Sequence, residues 1–339
     1  MQRKPGARAA AALGWAAAGV LVWSTVIERR LFTVRRHEIP LLPAGAAPVR
    51  VLQLSDLHLA PWQTNKINWV RSLRALNPDL VVLTGDLMGH TGARPALLHT
   101  LEAFADTPTL FVHGSNDYYG PKFKNPMRYL REPSRLSTRA QDIDNATLTT
   151  GLTDLGFLDL NNSAAALSLR GTSFEFIGLN DPHIRLHNAD AMRAAMGEQG
   201  FALPDAAVVA EVGASKVSPG EAGAATGAVT DDLETGRGVR VGLVHAPYQA
   251  ALGELLSSGS ELILAGHTHG GQVRVPGVGA LTSNSDLPND QARGLSVWYD
   301  AHRAAYLNVS AGLGNSIYAP VRFACRPEAS LITLTAPGR

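Results

Sequence analysis

Val49-Arg50-Val51-Leu52-Gln53-Leu54-Ser55-Asp56-Leu57-His58 is the stretch on which the fold reading turns. Its first six residues form a short Val- and Leu-rich run of strand length. The run ends in a carboxylate and an imidazole two residues apart. The same plan recurs along the chain. Leu80 to Thr84 leads into Gly85-Asp86, and Leu110-Phe111-Val112 leads into His113-Gly114-Ser115-Asn116-Asp117. Gly242-Leu243-Val244 leads into His245, and Leu262 to Ala265 leads into Gly266-His267-Thr268-His269.

Helical patterns separate the first apolar runs, around Asn68 to Leu76 and Pro95 to Phe104. Strands alternating with helices predict an α/β fold with a largely parallel, buried sheet. In the middle of the chain, Ala164 to Leu169 and Phe174 to Leu179 read as neighbouring strands joined at Arg170-Gly171. A helix fits Tyr248 to Ser257. Val273 to Val275, Ala305 to Ser310 and Leu331 to Leu334 are the last strand candidates. Residues 212–238 are rich in Gly, Ala, Ser, Thr and acidic residues and read as a mobile insertion. In open α/β sheets, sites gather beyond the carboxyl ends of the strands, so the five polar strand ends are expected to converge.

Carboxylate oxygen and imidazole nitrogen suit Mn, Fe, Zn and similar cations. In Asp-x-His and His-x-His the two side chains point to one side of an extended segment. Glycine before Asp86 and before His267 permits close backbone approach. No thiolate lies nearby; the chain has one cysteine, Cys325, which is expected in the interior. An intrachain disulfide is therefore impossible.

The chain has 339 residues, 45% of them hydrophobic and 17% charged, with a net charge of +1. No broad basic surface argues for nucleic acid, and no protein partner is indicated. Ala9 to Ile27 carries no charge and lies between basic flanks. As a helix it would span roughly 28 Å, close to a bilayer's hydrocarbon core. Residues 1–30 thus read as an N-terminal membrane anchor, 31–48 as a Pro- and Ala-rich linker, and 49–339 as the folded domain. Lys122, Lys124, Arg128 and Arg131 form a basic cluster that could receive phosphate, although a solvated face is the commoner role of such clusters.

Taken together, Asp56-x-His58, Gly85-Asp86, the Gly114–Asp117 turn, His245 and Gly266-His267-Thr268-His269 resemble the calcineurin-like metallophosphoesterases in order and approximate spacing. The longer string Gly266 to Gln272 and the stretch Arg322 to Leu334 are similar to the membrane-associated bacterial branch. The resemblance covers about residues 49–335 without the insertion. It implies a four-layer sandwich, two mixed β-sheets flanked by helices, preceded here by one N-terminal transmembrane helix.

The resemblance also implies chemistry. Two divalent metal ions would be held, one by Asp56, His58 and His269, the other by His245 and His267, with Asp86 bridging. A hydroxide between the ions would attack the phosphorus of a phosphomonoester or phosphodiester. Membrane proximity makes a lipid-linked ester a reasonable substrate. This chain departs from the family at Gly114-Ser115-Asn116-Asp117, where Gly-Asn-His-Asp is usual. Aligned directly, Ser115 takes the ligand place; slipped by one residue, Asn116 does, and an amide carbonyl is the better ligand. Either way the usual histidine is replaced, and His113, His90 and His183 are the substitutes in reach of the sequence. A non-catalytic metal-binding or scaffold protein of the same fold is the alternative.

Overall fold

The computed structural model describes residues 5–121, 140–204, 237–315 and 319–337. The basic cluster at Lys122, Lys124, Arg128 and Arg131 lies outside the described residues, as does the expected insertion 212–238 apart from Arg237 and Gly238.

One six-stranded sheet has the order β1 (Thr33–Pro40), β14 (Glu328–Thr335), β2 (Val49–Leu54), β3 (Leu80–Thr84), β4 (Thr109–Val112), β5 (Leu158–Asp159). The other has the order β12 (Gly294–Tyr299), β13 (Ala304–Val309), β9 (Leu262–Ala265), β8 (Val239–Val244), β7 (Thr172–Leu179), β6 (Ser163–Leu169). Both are mixed: β2, β3, β4 and β5 run parallel, as do β7, β8, β9 and β13, while β14 is antiparallel to β2 and the pairs β6–β7 and β12–β13 are antiparallel.

The layering follows from side-chain alternation. In β2, Val49 and Val51 face the second sheet while Leu52 and Leu54 face helices; β3 divides in the same way into Leu80 and Val82 against Val81 and Leu83. In β9, Leu262 and Leu264 face the first sheet while Ile263 and Ala265 face the other side. Strands apolar on both faces must be covered on both faces. The outer face of the first sheet is covered by α2 (Thr64–Ser72), α3 (Arg94–Leu101) and α4 (Asn145–Asp154), through Ile67, Val70, Leu97, Leu101, Leu148 and Leu152. The outer face of the second is covered by α5 (Ala189–Glu198) and α6 (Gln249–Ser257), through Met192, Met196, Leu252 and Leu255. The result is the four-layer α/β sandwich with two mixed sheets.

Polar groups clip the two sheets together at one end. Buried Gln53 donates to the Ala265 carbonyl (2.9 Å) and accepts from Asn308 Nδ2 (2.7 Å), joining β2 to β9 and β13. On β8, inside the second sheet, the fully buried Arg240 guanidinium donates to Glu175 (2.5 Å from Nη2), to the Ala202 carbonyl (2.8 Å) and to the Ser258 carbonyl (2.5 Å). Arg240→Ala strands that carboxylate and those carbonyls, and it is expected to cost about 3–5 kcal/mol. Urea unfolding of the variant against the parent chain checks this; an unchanged midpoint would mean that water replaces the guanidinium.

Residues 31–48, expected as a linker, instead contain strand β1, which pairs in parallel with β14 from Thr33↔Glu328 to Pro40↔Thr335. Leu41 and Leu42 behind it are fully buried. The folded body therefore starts near Thr33. Helix α1 (Pro5–Val22) continues through a π-turn and a 3₁₀-turn to Arg30. Ala11–Arg30 is long and apolar enough to cross a membrane, by length and composition, and Leu13 and Trp15 on it are exposed. Its last turns are docked on the body. Ser24 and Glu28 are buried there, on one helix face, while Trp23, Val26 and Ile27 remain exposed.

Candidate metal centre

Asp56 and His58 follow β2, Asp86 follows β3, Asn116 follows β4, His245 follows β8, and His267 and His269 follow β9. The two sheets are aligned so that these ends meet. The Asp56 N–H donates to the Gly85 carbonyl and the His58 N–H to the Asp86 carbonyl, both at 2.9 Å; the Gly266 N–H donates to the His245 carbonyl at 2.8 Å. Across the sheets, the His267 N–H donates to the Asp56 carboxylate at 3.0 Å.

Five of these residues, Asp56, His58, Asp86, His267 and His269, have positive φ, from 37° to 69°. Non-glycine residues rarely adopt that region, and it persists only where the surroundings enforce it. Glycine makes the crowding possible. A Cβ at Gly85, itself at φ +82°, would lie 2.6 Å from the Gly114 nitrogen and 2.7 Å from His245 Nδ1.

The side chains form one connected group. His58 Nε2 faces His269 Nε2 at 3.2 Å and Asp86 Oδ2 at 3.5 Å. His245 Nε2 faces His267 Nδ1 at 3.3 Å and Asp86 Oδ1 at 3.5 Å. Asp86 thus turns one oxygen toward each imidazole pair. His269 Nε2 lies 3.8 Å from Asp56 Oδ1. Asn116 reaches Asp86 twice, through its backbone N–H (2.8 Å to Oδ1) and its Nδ2 (2.7 Å to Oδ2). Ser115 Oγ lies 3.5 Å from the Asn116 amide. Two sets meet the spacing a cation needs, Asp56 with His58 and His269, and Asp56 with Asp86 and His245.

The donor set fits a metal. His245 Nδ1 lies 2.8 Å from the Thr84 carbonyl, and His267 Nε2 lies 3.1 Å from the Asn284 carbonyl. The Thr84 contact places the proton of a neutral His245 ring on Nδ1, and the Asn284 carbonyl favours Nε2 for His267 in competition with the Asn284 amide nitrogen at 3.2 Å; with both protons so placed, the facing Nε2 and Nδ1 present lone pairs to one another. Two lone pairs at hydrogen-bond distance repel unless a cation or proton lies between them, and carbonyls that set imidazole tautomers are the usual outer partners of metal-bound histidines. Among the described residues, His269 Nδ1 is buried without a hydrogen-bond partner.

Electrostatics points the same way. Burial pushes the Asp56 carboxyl up to about 6, despite the opposing pull of His245. Burial also pushes His58 down to about 4. It holds His267 and His269 well below the usual imidazole range, with nearby imidazoles adding to the effect. For His245, burial alone would lower the value, but the Asp86 carboxylate outweighs it and holds the imidazole well above 6.5. Burial would likewise raise Asp86, yet His245 holds it well below the usual carboxylate range. Asp86 is thus held ionised beside positive charge, which the His245 imidazolium supplies and a bound cation would supply in its place.

The three substitute histidines have separate fates. His113 is buried against Phe111 and Tyr118, with Nε2 on Thr149 Oγ1 at 2.8 Å, away from the cluster. His90 packs against Trp62, its Nδ1 accepting from the Gly92 N–H. His183 alone among them touches the group: its ring lies 4.7 Å from that of His267, and its Nδ1 lies 2.9 Å from the Tyr248 hydroxyl. The Asn180-Asp181-Pro182-His183 segment is both a turn and part of the site wall. Asp181 Oδ1 accepts from the His183 N–H at 2.9 Å, and its buried carboxyl is pushed up to about 7 by burial. Arg274 donates to the Gly270 carbonyl, and Tyr118 packs inside with its hydroxyl against Asn180.

The sequence marks Asp181 only within an Asx-Pro segment that is either a turn or an approach to the site, and it gives no sign of the roles of Tyr248, Asn284 and Arg322. Arg322 is fully buried and donates from Nη2 to the carbonyls of Ala311, Gly312 and Gly314, the loop whose Gly314 N–H bonds the Asp56 carbonyl. The Pro after Asp181 was the one available signal; the others depend on tertiary contacts.

Residues 49–200 match the family model described as calcineurin-like phosphoesterase. A Bacillus subtilis (strain 168) protein named "Uncharacterized metallophosphoesterase YkuE" is 25% identical over 340 residues, covering 97% of this chain and 94% of that one. Residues 49–200 are a calcineurin-like phosphoesterase domain. A Bos taurus "Transmembrane protein with metallophosphoesterase domain" is 31% identical to this chain over 94 residues, 26% of this chain and 21% of that protein. The crystal structure of phosphopantetheinyl hydrolase (PptH) from Mycobacterium tuberculosis aligns over 82% of this chain and 96% of its own, with a TM-score of 0.39 and 14% identity.

Proposed function

We propose that this chain hydrolyses phosphomonoesters or phosphodiesters with two divalent cations held at the joined strand ends, and that its N-terminal helix anchors it in a membrane. The observation that carries the reading is Asp86, whose two carboxylate oxygens face two separate imidazole pairs. Asp56, His58 and His269 would hold one cation; Asn116, His245 and His267 the other; Asp86 both. Bound there, the cations supply Lewis acidity and offset the negative charge of a phosphoryl group. The chain's own part is to fix the donors before substrate arrives, through the positive-φ backbone and the carbonyls of Thr84 and Asn284.

Turnover of aryl phosphomonoesters and phosphodiesters by the purified full chain with added manganese, beside metal analysis, tests this. About two equivalents of metal with turnover is the expected result. Fewer than one equivalent contradicts the two-cation reading. Bound metal without turnover on any ester favours the non-catalytic scaffold.

His183 is the imidazole placed to serve the leaving group, because it lies against His267 on the cluster's edge and is held by Tyr248. His183→Asn is expected to slow esters with poor alkyl leaving groups by about 10²-fold and nitrophenyl esters far less. Equal losses on both substrates would assign His183 to packing instead.

A further inference from the structure

The hairpin after the metal centre presents an uncharged tip. Its strands β10 (Arg274–Val275) and β11 (Gly279–Ala280) are joined by Pro276-Gly277-Val278. From Val275 to Leu281 there is no charged residue. Val275, Val278 and Leu281 are exposed, Val278 by 75%. A short apolar tip of this kind needs a reason only if something places it beside an apolar phase.

The docked end of the N-terminal helix does that. The Ser24 carbonyl accepts from the Arg322 N–H at 2.9 Å. The Glu28 carboxylate accepts from the Cys325 N–H (2.6 Å) and Ala324 N–H (3.1 Å), and from Trp23 Nε1 (2.7 Å). Between those anchored residues, Phe323 pairs with the root of the hairpin: its carbonyl accepts from the Arg274 N–H (2.9 Å) and its N–H donates to the Gln272 carbonyl (3.1 Å). Helix end and hairpin root are therefore on either side of one short segment. From Arg274 the tip residue Val278 is at most about 14 Å away.

The same face carries the charges that suit a lipid surface. Arg30 and Arg326 are exposed at the helix end, and Arg326 Nε holds the Leu31 carbonyl at 3.0 Å. Trp23 lies exposed about two turns earlier, as tryptophan does at membrane interfaces. An apolar tip with basic residues beside it is the pattern of interfacial lipid binding.

We infer that the β10–β11 hairpin is a second membrane contact, seating Val275, Val278 and Leu281 among lipid headgroups beside the anchor helix and holding the metal centre against the bilayer. The inference rests on the anchor reading above and is independent of hydrolysis. With the last helical turns tied to 322–325, the body cannot swing on a loose tether, so the tip and the helix would meet one lipid surface together.

The test uses the full chain in nanodiscs containing about 30% anionic lipid, with Cys325 left in place because it is fully buried. Single variants Val278→Cys, Leu13→Cys and Leu158→Cys carry an environment-sensitive fluorophore, read with and without nitroxide-labelled lipid. Leu158 lies at β5, the opposite edge of the first sheet from β1, and serves as the water-facing reference. Strong lipid quenching at Leu13 and Val278 but not at Leu158 is expected, with weaker quenching at Val278 in purely zwitterionic discs. Quenching at Leu13 with Val278 matching Leu158 overturns the hairpin contact alone. A blue shift at Val278 without lipid quenching also overturns it, in favour of a protein surface. No quenching at Leu13 overturns the anchor reading and the hairpin contact with it. None of these readouts depends on phosphoester turnover.

Discussion

Asp86→Ala is expected to lower phosphoester turnover by about 10³-fold or more, since even outer partners of metal ligands are worth about 10–100-fold. The same change should reduce bound metal at both positions, where loss of any other single ligand would spare one. The reason is geometric: Oδ2 lies 3.5 Å from His58 and Oδ1 lies 3.5 Å from His245. Asn116 also depends on it, losing both of its bonds to the carboxylate. A buried N–H without a partner costs about 1–3 kcal/mol, so a folding control is needed. Asp86→Asn keeps the size of the side chain and some acceptor capacity while removing the charge. Metal analysis and turnover on both variants settle the assignment. An active variant carrying full metal would show that the bridge lies elsewhere, with Asp56, which belongs to both metal-spaced sets where Asp86 belongs to one, the next choice.

Metal should change the stability of the whole protein in a pH-dependent way. At one hundred times the dissociation constant, one site adds about 2.7 kcal/mol. At about 2–4 °C per kcal/mol for a chain of this class, manganese is expected to raise the thermal midpoint by roughly 5–10 °C per site. Binding requires Asp56 ionised and His245 neutral. With Asp56 pushed up to about 6 and His245 held well above 6.5, the manganese increment should be larger at pH 8 than at pH 7 and shrink further as pH falls through 6. His245 is held well above 6.5, so loading at pH 7 should release about one proton, seen as a dependence of calorimetric heat on buffer ionisation enthalpy. The metal-free protein has its own profile. His58, depressed to about 4, contributes stability that is present above its unfolded value near 6.5 and lost as pH falls from there toward 4. Asp56 has the opposite sign: its contribution is full below its unfolded value near 4 and lost as pH rises through about 6. His267 and His269 are depressed and act in the same direction as His58, while the raised Asp181 and His245 act in the same direction as Asp56. A manganese shift equal at pH 5 and pH 8 would remove Asp56 from the cation's ligands.

The central strands were legible because burial on both faces writes them as dense apolar runs, as in Leu80 to Thr84 and Leu262 to Ala265. Strand β1 was not. Thr33–Pro40 contains Arg35, Arg36, His37 and Glu38, which read as a charged flank to the preceding helix. At a sheet edge such charges are tolerated and discourage pairing with other chains, and Arg35 is paired at 2.9 Å with Glu328 on β14. Strand β12 was missed for a similar reason, as an edge with only partial burial. For the candidate site, polar residues at strand ends were visible as a pattern, and the fold brings all seven side chains into one connected group. Of the wall, His183 was singled out as a candidate, whereas Tyr248 and Asn284 were not visible, because they come from separate turns with no shared spacing. Glu28 is the extreme case. Nothing in the helix sequence says that its carboxylate will cap backbone N–H groups at Ala324 and Cys325.

The position of β14 has a consequence for synthesis of the chain. It lies between β1 and β2, two strands made nearly three hundred residues earlier. Until Glu328–Thr335 has emerged, the nascent chain carries an unpaired β2 edge and a β1 with no neighbour at all. Such an edge invites association with other chains. A ribosome stalled before residue 328 would therefore leave a product in need of a holdase chaperone.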